Sequence, residues 1–392
     1  MVGQLASARR TAEIVGLGSL RTMGRPPRAD VAITTASLRG ITLYQPTELV
    51  MSARAGTPLT EVEAELAAHG QALAFEPMDL GPSTGGPVGA QTIGGVFATN
   101  MPGSRRISAG GARDHLLGVK AVNGRGEAFK SGGRVMKNVT GYDVARGLTG
   151  SWGTLAILTE VTFKVVPIAE AVLTLAYPGL PDDLAVELMT KAMATPFDVA
   201  ATAHVPKGTA ARVSHPRLKA LEDSVTLVRL ENFARFLPGR KDKLKELLKV
   251  YGAPIELDAE GSQSIWSDIC ALKVMPYSPD TSLWRISTAP TKAPEIVAAI
   301  EKFMPAHALY DWSGGLVWLE VPAAADAGSA DVRRAVAVRG GHATLVRAAP
   351  EVRENVEIFE PMRPEVDRLT RGLKDAFDPM RLFNQGRMYA HI

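Results

Sequence analysis

The 392-residue chain, 46% apolar and 22% charged, exceeds what one hydrophobic core usually organises and is not disordered in composition, so two domains, or two and a tail, are expected. A net charge of +3, with lysines and arginines scattered rather than clustered, argues against nucleic acid as a partner. Cys270 is the only cysteine, which excludes an internal disulfide, a structural zinc and an iron-sulfur cluster held by this chain alone.

In chain order, residues 12–167 alternate short apolar runs with glycine-rich turns, the pattern of an α+β or α/β domain. Residues 33–43 and 48–55 read as strands around a turn at Gln45 and Pro46, and residues 58–69 as an amphipathic helix ended by Gly70. Residues 155–166, "LAILTEVTFKVV", alternate as a half-buried strand, with Ile157, Thr159, Val161, Phe163 and Val165 on one face, and Pro167 stops it. Beyond Pro167 the glycines thin out. Strands fit "AVLTLAYPG", 225–230, 283–287 and 315–321, and helices fit 182–193, 241–251 and 294–303, an antiparallel sheet with helices on one side. The basic run at 240–249 alternates with leucines and reads as a solvated helix face. Residues 364–392 read as a helix and a punctuated tail. No stretch approaches the roughly 18 apolar residues of a membrane span, and the start lacks the apolar core of a secretory signal. A cytoplasmic protein is expected, held at the inner membrane, if at all, through partners.

The stretch "DLGPSTGGPVGAQTIGGVFATN", residues 79–100, contains a G-x-S-x-G match around Ser83. A nucleophile elbow needs a strand running into the serine and a helix leaving it, and the prolines and glycines around Ser83 are expected to form neither, so the match is an accident of glycine density. Residues 81–113 hold nine glycines and no Asp or Glu, with Arg105, Arg106 and Arg113 present. Such a segment offers bare backbone N–H groups and no competing negative charge, a bed for phosphate oxygens. Gly16-Leu17-Gly18-Ser19-Leu20-Arg21 begins like G-x-G-x-x-G but has Arg21 at the third glycine, and no P-loop motif occurs, so neither standard nucleotide motif accounts for it.

Taken together, "IVGLGSLRTMGRP", "TIGGVFATNMPGSRR", "GGRVMKNVTGYDVARGLTGSWGTLAILTEVTFKVVP" and the terminal "FDPMRLFNQGRMY" resemble the PCMH-type FAD-binding domain of the vanillyl-alcohol oxidase family. Within it, "GITLYQPTELVMSARAGTPLTEVEAELAAHGQALAFEP" and "YDWSGGLVWLEVP" are most similar to the E-type FAD-binding subunits of bacterial glycolate oxidase (glycolate dehydrogenase). The resemblance implies an FAD-binding domain at 1–167, a second α+β cap domain of antiparallel sheet plus helices at 168–349, and a segment at 350–392 returning to the first. It implies that Gly16, Leu17, Gly18, Ser19 and Leu20 wrap the FAD pyrophosphate. Thr92, Ile93, Gly94 and Gly95 would give further donors, and Thr99, Asn100, Gly103 and Arg105 would continue that wall. Gly110, Gly111 and Asp114 would turn back beneath the cofactor. Lys137, Asn138, Tyr142 and Asp143 match a signature near the flavin, Ile157 lies on the strand that meets the adenine half, and Asn384 is in the motif returning to the flavin ring.

Compared with relatives, only residues 1–13 precede the pyrophosphate loop, where a further strand and helix are usual. Trp152 stands where many carry Glu, and Gln385 where they carry Pro. With no His or Cys in the loop, non-covalent FAD is expected.

Oxidising a 2-hydroxy acid needs a cation for its carboxylate and a base for its hydroxyl proton. His342 in "RGGHATLVR", with Arg347 near it in sequence, is the candidate pair, and a histidine at a strand start with no chemical role is the competing reading. Asp311 and Trp312 are candidates for the same wall, against simple packing. Three functions remain open. The chain is an FAD-linked subunit of a glycolate oxidase complex, passing electrons from glycolate oxidation to an iron-sulfur subunit beside a companion FAD-binding catalytic subunit. Alternatively it is a self-sufficient FAD oxidoreductase for another hydroxy acid or a sugar lactone, or a structural subunit retaining the FAD fold.

Overall fold

Two antiparallel sheets, each with its own core, organise the residues described by the computed structural model, 2–135 and 141–392. A helix, Val2–Ala8, and a strand, Ala12–Val15, precede the residue 16–20 loop, so a helix and a strand are present where the sequence was expected to fall short. The strand pairs in parallel with Val31–Thr34. The single strand expected at 33–43 is two, Val31–Thr34 and Ile41–Gln45, because the chain turns between them and Gly40 takes φ +112°, open to glycine.

The first sheet runs in the order Ile41–Gln45, Val50–Arg54, Ala156–Lys164, Leu116–Asn123, Ala128–Gly132. In its central strand the expected alternation is broken. Lys120 pairs with Glu160 but Ala121 with Leu158, leaving Thr159 as a bulge. Ala156, Leu158, Val161 and Phe163 therefore share one core, while Ile157 turns to the other side against Ala12, Ile33 and Phe383. Thr92 caps the helix Ile93–Thr99, its Oγ1 accepting from Gly95 N at 3.2 Å, and Asn100 ends it in the left-handed region.

The second sheet has eight strands, in the order Ile255–Leu257, Ala171–Pro178, Val225–Asn232, Val199–Val205, His307–Asp311, Leu316–Pro322, Thr281–Ser287, His342–Arg347, antiparallel throughout. Helices Asp182–Met193, Leu237–Leu247, Ala293–Glu301 and Ser329–Arg339 cover one face with Trp284 and Tyr310. The other face is not bare. Trp318 and Leu309 pack there with helix Ala259–Cys270 and with Met23, Met101 and Trp152 of the N-terminal half. The helix expected at 241–251 starts earlier, at Leu237, because Pro238 fits its first turn.

Around Ser83 one helical turn does form, Gly81–Thr84, although neither strand nor helix was expected. The hydroxyl is fully buried and donates to Leu272 O at 3.1 Å, so it is no exposed nucleophile. The C-terminal segment returns. Phe383 bridges Ala12, and the helix Pro364–Phe377 holds the tail through Lys374.

Candidate functional site

A cleft opens between the residue 16–20 loop, helix Ile93–Thr99, the 151–158 turn and strand, and Asn384. Gly16, Leu17, Gly18, Ser19 and Leu20 all line it, as do Thr92, Gly94, Gly95 and Thr99. The loop follows the end of a strand, and Gly18 at φ +91° makes the turn. Gly16 is required for close approach, since a β-carbon there would lie 2.6 Å from Thr92 Oγ1.

Backbone accounting separates the two glycine-rich walls. The first amides of helix Ile93–Thr99 are already satisfied: Ile93 N donates to Thr57 O (2.9 Å), Gly94 N to Ala55 O (2.9 Å) and Gly95 N to Thr92 Oγ1 (3.2 Å). They are not the donors expected from the sequence, and Ile93 faces the core. The amides of residues 16–20 find no acceptor among the described residues. That loop is the concave set of unspent N–H groups suited to an anion.

Behind it stands Arg387, missed at the sequence level although it lies three residues beyond Asn384. Its guanidinium donates to Leu20 O (2.6 Å) and Arg21 O (3.4 Å), pinning the loop's carbonyls away from the cleft, and burial pulls its pKa down to about 10. Glu13 pairs with Arg21 at 2.5 Å. Asn384 joins the tail to the cleft wall: Ile14 N donates to its Oδ1 (2.8 Å), and its Nδ2 donates to Trp152 O (2.6 Å). The donor set fits a dinucleotide pyrophosphate: free amides, a cation behind them and, among the described residues, no carboxylate facing them except the already paired Glu13.

Other expected residues lie elsewhere. Asn100 accepts from Arg113 N, and Asp114 accepts from Gly111 N at 2.8 Å to hold the Gly110 turn, so Asn100, Gly110, Gly111 and Asp114 are local structure outside the cleft. Gly103 and Arg105 face the second sheet: Trp312 Nε1 donates to Gly103 O (3.0 Å), and Arg105 pairs with Glu231 at 3.3 Å. Tyr142 is 92% exposed, and Asp143 caps helix Val144–Leu148. Ile157 is turned away by the Thr159 bulge, and its neighbours Ala156 and Leu158 line the cleft in its place. Lys137 and Asn138 lie outside the described residues.

The expected catalytic pair is not assembled. Arg347 is 3% exposed, and its guanidinium is spent on Ser83 O (2.7 Å), Pro276 O (2.9 Å), Thr281 and the buried Glu320 (2.9 Å). His342 opens the same strand, roughly 17 Å away at the rise of extended chain. It is exposed, and its imidazole pKa is lowered by crowding and by the Arg285 cation. Asp311 does sit where the two halves meet, 1% exposed, accepting from Ser104 Oγ (2.8 Å) and Trp312 N (2.7 Å). Burial pushes its carboxyl up to about 7.

Comparison with known proteins agrees with this architecture. The family described as FAD binding domain matches residues 4–132. The glycolate oxidase subunit GlcE of Escherichia coli (strain K12) is 31% identical over 391 residues, 100% of this chain and 96% of that one. The mitochondrial D-lactate dehydrogenase [cytochrome] of Arabidopsis thaliana is 28% identical over 166 residues, 42% of this chain but only 28% of that protein. Among solved structures, an alkyldihydroxyacetonephosphate synthase superposes with a TM-score of 0.67 at 14% identity, over 98% of this chain and 74% of that one, a likeness of fold.

Proposed function

The chain belongs to the family of glycolate oxidase subunit GlcE and is an FAD-dependent oxidoreductase, and from that premise we propose that it serves in a glycolate oxidase complex, oxidising glycolate to glyoxylate and passing electrons to an iron-sulfur subunit. The observation that carries the reading is the cleft itself, lined by five consecutive residues whose amides have no acceptor among the described residues and walled by Gly95, Thr99 and Asn384.

In this reading residues 1–167 form the FAD-binding domain, 168–349 the cap, and 350–392 the returning segment. The amides of Gly16, Leu17, Gly18, Ser19 and Leu20 hold the pyrophosphate, and Arg387 fixes the loop and adds positive charge behind it. Gly95 leaves room on the opposite wall, and Asn384 fastens the tail across the cleft mouth. Bound FAD, held without a covalent link, supplies the two-electron acceptor that oxidation of a 2-hydroxy acid requires. The second sheet packs against the N-terminal half through an apolar cluster. No helix among the described residues is long and apolar enough to cross a membrane.

The test is anaerobic: the purified, flavin-loaded chain is mixed with glycolate, alone and with its companion FAD-binding and iron-sulfur subunits, and bleaching of the flavin spectrum is followed. Bleaching only in the assembled complex supports the subunit reading. Bleaching of the chain alone makes it self-sufficient, and absence of bound flavin in every setting overturns the reading.

A further inference from the structure

Among the described residues, Arg285 is the one arginine in the second sheet's inward face whose charge is left unspent. It lies in strand Thr281–Ser287, where Trp284 and Ile286 turn to the helix-covered face and Arg285 turns with Leu283 toward the N-terminal half. Its cross-strand neighbours are Trp318 on one side and Thr344 on the other. The guanidinium carbon lies 5.0 Å from the Trp312 ring centre and 6.0 Å from that of Trp318. Among the described residues it makes no ion pair and no hydrogen bond, although it carries five N–H donors and keeps part of its surface accessible. Arg229 and Arg347, on the same sheet, are both paired with carboxylates.

Aromatic faces orient a guanidinium but do not replace its hydrogen bonds, and a half-buried cation without an anion keeps its donors free for a ligand. Asp311 does not supply the anion, because both its oxygens are already engaged by Ser104 and Trp312 N, and its carboxyl is partly protonated near neutrality. A second observation points the same way: the buried Trp318 Nε1, on the same face, also has no acceptor. The aromatic wall is held under strain, with Trp312 and Ser313 in succession at φ +53° and +60°, and such strain collects where a surface must be shaped for a ligand.

We infer that Arg285 is an anion anchor, its fork held on Trp312 and Trp318 to pair with the carboxylate of a small 2-hydroxy or 2-oxo acid. The inference rests on the proposed oxidation of a 2-hydroxy acid by this chain and assigns the carboxylate to a residue other than Arg347. A planar fork suits a carboxylate bidentately, so lysine is a poor substitute.

The experiment uses the flavin-loaded full chain and oxalate, an unreactive small dicarboxylate, with binding read by calorimetry and by tryptophan fluorescence. Arg285→Gln is expected to weaken oxalate binding by about 30-fold or more, the scale for removing half of a desolvated charge pair, with flavin content unchanged. Arg285→Lys is expected to fall between the two and serves in its place if the glutamine variant does not fold. Equal oxalate affinity in wild type and variants, or no oxalate binding by the wild type, overturns the anchor. If glycolate bleaches the flavin equally well in Arg285→Gln, the anchor fails while the oxidation stands. If oxalate binding depends on Arg285 but glycolate never bleaches the flavin, the anchor stands and the oxidation fails.

Discussion

At Gly94 an added β-carbon would lie 2.7 Å from both Cβ and the carbonyl oxygen of Ala55, whereas at Gly95 it would meet only Thr92 Oγ1, at 3.3 Å. The two glycines are one helical step apart, and that rotation sends one into packing and the other to the cleft. Gly95→Asp is therefore expected to fold, with a melting temperature within a few degrees of wild type, and to lose bound flavin through repulsion of the pyrophosphate. Gly94→Asp should fail earlier, giving little folded protein, and flavin content together with circular dichroism separates the outcomes. A Gly95→Asp protein that keeps its flavin would remove this wall from the cofactor site. Composition alone revealed that the stretch was glycine-rich and acid-free, but not which glycine faced the space, since that depends on where the helix starts. Arg347 and Arg285 pose the same problem: both are strand arginines, and only their partners tell a structural cation from an unspent one. Arg347→Met should cost about 1.5–3 kcal/mol in urea unfolding, because it removes a buried charged hydrogen bond and leaves Glu320 with Arg212 as its one cationic partner among the described residues. A loss under about 1 kcal/mol would show that the pair is not the interior ion pair described.

Among the elements, the C-terminal helix Pro364–Phe377 inverts the usual rule. Its apolar Val366, Leu369 and Leu373 are 43%, 67% and 49% exposed, while Lys374 is fully buried. The ammonium donates to Thr154 O (2.6 Å), Asp378 Oδ2 (2.8 Å) and Phe383 O (3.0 Å), and Asp378 in turn accepts from Leu382 N and Phe383 N at 2.9 Å. One charge pair thus folds the tail back so that Asn384 reaches Ile14 and Trp152. Lys374→Met is expected to lower stability by several kcal/mol and to weaken flavin retention with it. Asn384→Ala should weaken retention with a much smaller thermal shift, and wild-type retention in both variants would break the link from tail to cleft. Strong periodicity was legible where packing obeys it, as in Asp182–Met193, whose limits match the sequence expectation. In the tail, where only a helix was expected, periodicity carries no such information, because the apolar side chains are exposed and the lysine is buried. The Thr159 bulge was likewise invisible, because a one-residue insertion in a ladder depends on the partner strand.

For the whole molecule, the acid-free stretch serves two surfaces: Thr92, Gly94, Gly95, Ala98 and Thr99 line the cleft, and residues 103–105 meet the second sheet. The resemblance carried the fold and the cofactor into view, but the division of that stretch between cleft and interface is tertiary and had no local signal. Beside its apolar cluster the interface carries polar pairs, Arg229–Glu76 at 2.7 Å, Arg105–Glu231 at 3.3 Å and Ser104–Asp311 at 2.8 Å. Its stability should therefore depend on pH through Asp311, whose carboxyl is raised from 3.8 to about 7. Between those values the folded protein holds a proton that the unfolded chain has released, so unfolding free energy falls as pH rises. The contribution is fully present below about pH 4 and is lost through about pH 7. Asp311→Asn removes the titration with little change of shape: its oxygen still accepts from Trp312 N, and its amide can donate to Ser104 Oγ, whose hydroxyl serves either role. The stability advantage of wild type over the variant is expected to shrink by up to about 4 kcal/mol from about pH 4 to about pH 8, because each tenfold change in proton affinity is worth about 1.4 kcal/mol and the rise at Asp311 spans roughly a thousandfold. Urea unfolding of both proteins at several pH values measures it, and all other titrations cancel in the difference. A difference that stays flat would mean that Asp311 is ionised in the folded state across the range, and the interface would then hold a full negative charge beside Arg285.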